Sequence, residues 1–239
     1  MPEWYIGCSG FHYKEWKEVF YPKGIPQTKW FECYCQHFNT IELNTTFYRF
    51  QQPDALLVWH KKSPAAFKFS VKGPRLISHY KMFIDCERLL GDFYAAIYEG
   101  LGDKLGCVLF QLPKRLLYSE DVLNRIIESL DASFDNVVEF RDKSWWNKKV
   151  YTALKKNKIS LCGISHPTLQ DDVIKNNSIL YYRFHGVPVL YKSEYKIKFI
   201  KEIADEIKTC GRFKEAYYFN NTRGTGAITK GRQLIEYLK

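Results

Sequence analysis

The chain's chemistry is written in pairs of polar residues set two apart. Glu42 and Asn44 stand in Thr40–Asn44, and Lys68, Ser70 and Lys72 in Phe67–Lys72. Glu139 and Arg141 close Asn136–Arg141, Arg183 and His185 close Ile179–His185, and Tyr218 and Asn220 fall in Glu215–Asn221. Gln111 ends Gly106–Gln111. Residues two apart on a strand share a face. Strands covered on both sides should read as continuous apolar runs. These strands break that rule together, mostly at their C-terminal ends. Glu42 and Glu139 can divide acid and base roles, and His185 can move a proton near neutral pH. Arg141 and Arg183 offer planar forks for an oxyanion, and Lys72 offers a point charge. The loops that follow add Tyr48, Arg75, His79, Trp145 and Asn221, with Tyr48 and Trp145 suited to stacking on a base or sugar. His12 is a further loop candidate. Leaving such groups buried and unpaired costs several kcal/mol each, about 2–7 for neutral ones. Two readings follow. The cluster satisfies itself, with Glu42 and Glu139 paired to Lys72, Arg141 or Arg183. Alternatively it uses those pairs to build a ligand site. Agreement among five or six strand ends favours the second, and an excess of cations favours an anionic ligand.

A frame must bring these ends together. Eight β-rich runs are visible: Trp4–Cys8, Thr40–Asn44, Phe67–Lys72, Gly106–Gln111, Asn136–Arg141, Ser160–Ile164, Ile179–His185 and Glu215–Asn221. Helical patterns lie between most of them, at Thr28–Phe38, Asp54–Lys62, Asp85–Gly100, Ser119–Leu130, Trp145–Lys156, Glu194–Thr209 and Gln233–Leu238. Ser119 with Glu120 and Asp121 reads as a helix cap followed by acids at the positive end of the dipole. Ser165–Ser178 has poor periodicity and is expected to carry a short helix at most. Alternating strands and helices imply parallel pairing by right-handed crossovers. The expected fold is an α/β (β/α)8 TIM barrel in one domain, 1–239, with the helix after strand six reduced or missing. A doubly wound sheet is the weaker alternative, since Gly7-Cys8-Ser9-Gly10 is not the glycine-rich phosphate turn. Barrel enzymes carry their sites at the C-terminal ends of the strands, where these polar residues fall.

Composition sets the outer bounds. With 46% apolar and 26% charged residues among 239, a sizeable core can form, which excludes disordered and collagenous classes. The formal charge of +10 favours anionic partners: phosphates, nucleic acid or acidic surfaces. Seven cysteines, an odd number, with no secretory leader read as reduced thiols in a cytoplasmic protein. No run approaches the length of a membrane span.

The motifs, taken in order, resemble a known family. They are Gly7-Cys8-Ser9-Gly10-Phe11 with Tyr13, Trp16 and Phe20-Tyr21-Pro22; Phe38 to Asn44 with Thr46-Phe47-Tyr48; Phe67 to Lys72 with Pro74-Arg75 and His79; Leu105-Gly106 and Leu109 to Pro113; Glu139-Phe140-Arg141 with Ser144-Trp145; Tyr182 to Gly186; and Phe219-Asn220-Asn221. Together they resemble the YecE-like family, domain of unknown function 72, over nearly the whole chain. The resemblance implies a TIM barrel without a settled activity, and a remote fold likeness to endonuclease IV and xylose-isomerase-type barrels. Two departures lie near the end: Thr222 follows Asn221 where the family tends to carry an acid, and Lys230-Gly231 replaces an Asn-Ala pair.

The resulting expectation is an enzyme-like barrel for an anionic substrate, with phosphorylated compounds favoured. Glu42, Glu139 and His185 would be the catalytic groups. Asn44, Tyr48, Lys72, Arg75, His79, Gln111, Arg141, Trp145, Arg183, Asn220 and Asn221 would bind. Hydrolase, lyase and isomerase chemistry all remain open. No cofactor is expected; a divalent metal on Glu42, Glu139 and His185 is the weaker option, because His37 and His60 fall on helices and His166 in a loop. A nucleic-acid partner is the alternative, through Lys143–Lys158 and Lys192–Lys201, where aromatics interleave with lysines. A non-catalytic scaffold is a third reading. Oligomeric state is left open.

Overall fold

In the computed structural model, which describes residues 3–209, 214–219 and 224–239, eight strands form one parallel sheet. They are β1 (Glu3–Cys8), β2 (Thr40–Leu43), β3 (Lys68–Lys72), β4 (Leu105–Gln111), β5 (Asn136–Glu139), β6 (Ser160–Ser165), β7 (Ile179–Phe184) and β8 (Lys214–Phe219). Their order is β1-β8-β7-β6-β5-β4-β3-β2. The helices are α1 (Trp30–Cys35), α2 (Thr45–Tyr48), α3 (Pro53–Lys62), α4 (Glu87–Leu101), α5 (Glu120–Ser129), α6 (Lys148–Lys156), α7 (Ile197–Thr209) and α8 (Gly226–Leu238). The fold is α/β with a curled parallel sheet.

Alternation along the strands sorts side chains into two layers. On β4, Val108 and Phe110 face the helices and join the large core with Phe69, Val71, Val138 and Leu180. Leu109 faces inward and packs with Val137, Cys162, Ile164 and Tyr181 in a second, smaller cluster. That inner cluster forms an apolar floor beneath the polar strand ends. Helix starts follow their sequence cues. Ser119 Oγ accepts from Val122 N at 3.2 Å ahead of α5, and Asn147 caps α6 through Val150 N at 3.1 Å.

The end strands of the order, β1 and β2, are linked by side chains. Asn39 Oδ1 accepts from Ile6 N at 3.0 Å, and its Nδ2 donates to Trp4 O at 2.7 Å. Tyr34 OH accepts from Cys8 N at 2.7 Å and donates to Thr40 O at 2.9 Å. Gly7 is required at this seam, because a Cβ there would run into the Thr40 carbonyl.

No helix lies between β6 and β7, where a reduced or missing helix was expected: residues 166–178 cross by turns. Two expectations change. The strands of Glu139 and Arg183 end at Glu139 and Phe184, so Arg141 and His185 sit just beyond them on the loops. The last helix starts at Gly226, not Gln233. Six cysteines are free thiols, and Cys210 lies outside the described residues. No helix among the described residues is long and apolar enough to cross a membrane.

Candidate functional site

Arg183 organises the centre. Period-two alternation turns it inward from β7, where it is fully buried. Its two terminal nitrogens reach different strands: Nη2 lies 2.7 Å from Glu42 Oε1 on β2, and Nη1 lies 2.5 Å from Glu139 Oε2 on β5. Glu42 also accepts from Ser9 Oγ and from Tyr181 OH, each at 2.7 Å. Three donors thus hold it, two on Oε1 and one on Oε2. Arg183 was expected to clamp an anion and Glu42 to move protons, and here the two are partners of each other. Each terminal nitrogen of the guanidinium is turned to a carboxylate and the group is sealed from solvent, and a carboxylate with three donors is a weakened base.

Glu139 differs. Its Oε2 meets Arg183, while its Oε1 faces Arg141 Nε and, at 3.2 Å, His185 Nε2. Burial works to raise this carboxyl, but Arg141 and Arg183, with His185, outweigh it and hold it well below the usual carboxylate range. His185 Nε2 is also 3.2 Å from Arg141 Nη2. It can donate to Glu139 or accept from Arg141, but one nitrogen cannot do both at once. Burial, and next the charge of Arg141, keep the His185 ring neutral, well below its ordinary pKa. A carboxylate, a neutral imidazole and a guanidinium thus meet at one point where a proton has two possible homes.

The other half of the site is Lys72, Gln111 and His79. Lys72 Nζ donates to Gln111 Oε1 at 2.9 Å and lies over the Phe47 ring, 4.1 Å from its centre. Among the described residues no carboxylate comes within ion-pair distance of it. Burial, then repulsion from Arg183, lowers its pKa to about 8, against a smaller opposing pull from Glu42 and Glu139. Gln111 Nε2 donates toward His79 Nε2 at 3.4 Å, and His79 Nδ1 pairs with Ser78 Oγ at 2.9 Å. Burial and the nearby Lys72 charge lower His79 to about 4, so it is neutral at physiological pH. Gln111 and Glu139 are register partners on β4 and β5, which sets the two halves side by side.

Side-chain exposure separates framework from working surface. Glu42, Glu139, Arg183 and His185 are sealed, while Lys72 (9% exposed), Arg141 (10%) and the half-buried Gln111 and His79 reach the mouth. The remaining candidates lie elsewhere. Trp145 is buried, stacked on Phe140 at 4.0 Å, with Nε1 donating to Leu116 O. It packs in the core, its ring face taken by Phe140. Tyr48 and Arg75 are exposed and line a separate cavity beside α2 and α4. Asn44 precedes α2, half-buried, with its Oδ1 unpaired. His12 is exposed beside Trp30 and does not join the charge cluster. Asn220 and Asn221 lie outside the described residues.

Sequence reasoning missed Ser9 and Tyr181, which donate to Glu42 beside Arg183. Tyr181 was within reach, since it stands two before Arg183 on the same face. Ser9 had no such signal, because it follows β1 on a loop. His166 was read as a surface loop residue, yet its ring stands edge-on to His185 at 5.8 Å. Among the described residues, no group of three or more His, Cys, Asp or Glu side chains is arranged to hold a metal ion.

Known proteins place this arrangement in a family. The UPF0759 protein YecE of Escherichia coli strain K12 is 30% identical over 145 residues, which cover 60% of this chain and 50% of that protein. The chain thus spans about half the length of that relative. The UPF0759 protein YunF of Bacillus subtilis strain 168 is 26% identical over 272 residues, covering 98% of this chain and 94% of that one. A DUF72 family protein from Thermotoga maritima, solved by crystallography, superposes with a TM-score of 0.87 at 25% identity, covering 99% of both chains. AP endonuclease, family 2, from Brucella melitensis shares the fold, with a TM-score of 0.57 at 11% identity over 95% of this chain and 96% of that one. The profile described as "Protein of unknown function DUF72" matches residues 5–239, and a match of that extent makes this chain a member of the DUF72 family.

Proposed function

We propose that this chain is a single-domain, closed (β/α)8 barrel that binds an anionic, phosphorylated small substrate at the C-terminal ends of its strands. The observation that carries the proposal is the surplus cation. Arg183 and Arg141 are balanced by Glu42 and Glu139, which leaves Lys72, among the described residues, with neutral partners, Gln111 and the face of Phe47. A buried ammonium without a counter-ion is costly, and a bound oxyanion supplies one. Arg141 is the second contact, because its side chain reaches the mouth while its Nε is held by Glu139.

Proton movement falls to Glu139 and His185 rather than to Glu42. His185 is neutral and touches both Glu139 and Arg141. Because His185 is sealed behind Arg141, it would take a proton from a substrate held there through a shift of the Arg141 side chain or a bridging water, and the Glu139 carboxylate would then stabilise the imidazolium that forms. The chemistry fits hydrolysis, elimination or isomerisation beside a phosphate, and no step in it calls for a cofactor.

The test is a thermal-shift and calorimetric panel of inorganic phosphate, sugar phosphates and sulfate. A ligand at a hundred times its Kd adds about 2.7 kcal/mol of stability, or about 5–11 °C in Tm for a chain of this size. Lys72→Met should abolish the shift. If no anion stabilises the wild type, the proposal fails. If single-stranded DNA or RNA binds instead, with affinity falling steeply between about 50 and 200 mM salt, the nucleic-acid reading replaces it.

A further inference from the structure

Beside the mouth, a cavity of about 780 Å³ opens between α2, the start of α3 and α4. Its volume lies within the range of small-molecule sites, about 300–1,000 Å³. The polar cluster does not use it. One ring separates the two spaces. Phe47 lines the cavity, carries the Lys72 ammonium 4.1 Å from its centre, and packs edge-on against His79 at 5.1 Å and Tyr48 at 5.0 Å.

The cavity is built for a flat ring. Tyr48 (67% exposed) and Tyr80 (59%) flank the Arg75 guanidinium, each ring centre 5.6 Å from it. These are three planar groups, two of them largely uncovered. The floor is apolar, with Ile77 and Ala96, and the α4 rim carries Asp92 and Glu99. Arg49 and Arg75 line the same cavity, so its charges balance, and the two carboxylates can accept from the amino or hydroxyl donors of a ring or sugar.

The segment joining the two spaces is itself unusual. After β3 the chain makes one π-helical turn, Leu76–Lys81, which sends His79 to the mouth and neighbouring Tyr80 to the cavity. It ends in left-handed backbone at Met82, Phe83 and Asp85, with φ of 48°, 63° and 46°. Both π turns and left-handed non-glycine residues concentrate at ligand sites.

We propose that the cavity is the second half of one site, which takes the aromatic portion of a phosphate ester whose anion rests on Lys72 and Arg141. The ligand class is then an amino-bearing aromatic phosphate of nucleoside monophosphate type. This rests on the anion reading above and specifies its substrate class.

Calorimetry with two probes, inorganic phosphate and adenosine 5′-monophosphate, separates the two claims. Wild type should bind the nucleotide at least about tenfold more tightly than phosphate, since stacking on an aromatic side chain is worth about 1–3 kcal/mol per base. Tyr80→Ala should cost the nucleotide about 5- to 150-fold and leave phosphate unchanged. Ala95→Trp, an exposed α4 position lining the cavity, should do the same by filling it. Lys72→Met should weaken both probes. If phosphate binds and the nucleotide binds no better, the cavity proposal is overturned while the anion site stands. If neither binds, both fall. Should Tyr80→Ala disturb the turn and lose phosphate too, Ala95→Trp decides: nucleotide affinity unchanged in that variant overturns the proposal.

Discussion

Replacing Arg183 with Met keeps most of the volume at the centre and removes the charge that two carboxylates share. Arg183 is fully buried, with ion pairs of 2.7 Å to Glu42 and 2.5 Å to Glu139. Breaking a buried pair by deleting one partner costs about 3–5 kcal/mol, because the remaining charge is stranded. Two charges are stranded here, but neither is bare. Glu42 keeps Ser9 and Tyr181, and Glu139 keeps Arg141. The single-pair range is therefore the appropriate one, and it corresponds to a fall in Tm of about 6–20 °C for a protein of this length.

Urea and thermal denaturation of Arg183→Met, Glu42→Gln and the double variant measure this. The double variant should recover part of the loss, with a coupling of about 0.5–3 kcal/mol as for residues in one network. The pH dependence has a definite sign. Arg141 and Arg183, against the penalty of burial, hold the folded-state pKa of Glu139 below its unfolded value. Its stabilisation is therefore complete above about pH 4.3 and lost as pH falls through the folded pKa. Without Arg183 that pKa rises, so wild type and variant should converge in stability as the medium becomes acidic. An Arg183→Met protein within about 1 kcal/mol of wild type, or one that shows no coupling to Glu42→Gln, would refute the idea that this guanidinium ties the strands together.

Two further outcomes are expected. Lys72 has a pKa of about 8 in the free protein, so sulfate affinity measured by calorimetry should hold below pH 8 and weaken above it, by at most about tenfold per pH unit. Affinity constant to pH 10 would remove Lys72 from the anion site. Gly7→Ala should destabilise strongly, because the new methyl meets the Thr40 carbonyl and pries β1 from β2. Hydrogen exchange should then show early opening at the amides of Ile6 and Cys8, which Asn39 and Tyr34 protect.

The strands were legible because period two and apolar content survive burial. Each of the eight fell within two residues of its expected bounds, and the inward set Glu42, Lys72, Glu139 and Arg183 followed from parity alone. What parity cannot give is partnership. Nothing local says that Arg183 joins a glutamate 141 positions away on β2 rather than a ligand, because that choice depends on which strands face across the interior. Trp145 shows the converse. Its place after β5 matched that of a ligand-stacking ring, but Phe140 lies five residues earlier and takes its face. The crossing from β6 to β7 was ambiguous because its polar residues carry no period. Asn176 makes up for the missing helix by binding the β6 backbone, accepting from Leu161 N and donating to Ile159 O.

A curled parallel sheet could carry polar strand ends for stability alone, and most of this cluster is consistent with that. Signs alternate from Glu42 through Arg183 and Glu139 to Arg141, and each charge meets its opposite. If that were the whole purpose, an apolar residue at position 72 would serve better than a buried ammonium, since well-packed apolar groups often replace buried charges at no loss of stability. Lys72 instead rests on a neutral amide and an aromatic face, at the rim where Arg141 is also partly open, with its pKa depressed by burial and then by the other cations. A lowered lysine pKa means that folding disfavours its charged form, so near neutral pH this residue costs stability that the network does not return. An oxyanion placed between Lys72 and Arg141 would reverse that cost, which is why position 72, rather than the better-paired centre, carries the argument for a ligand.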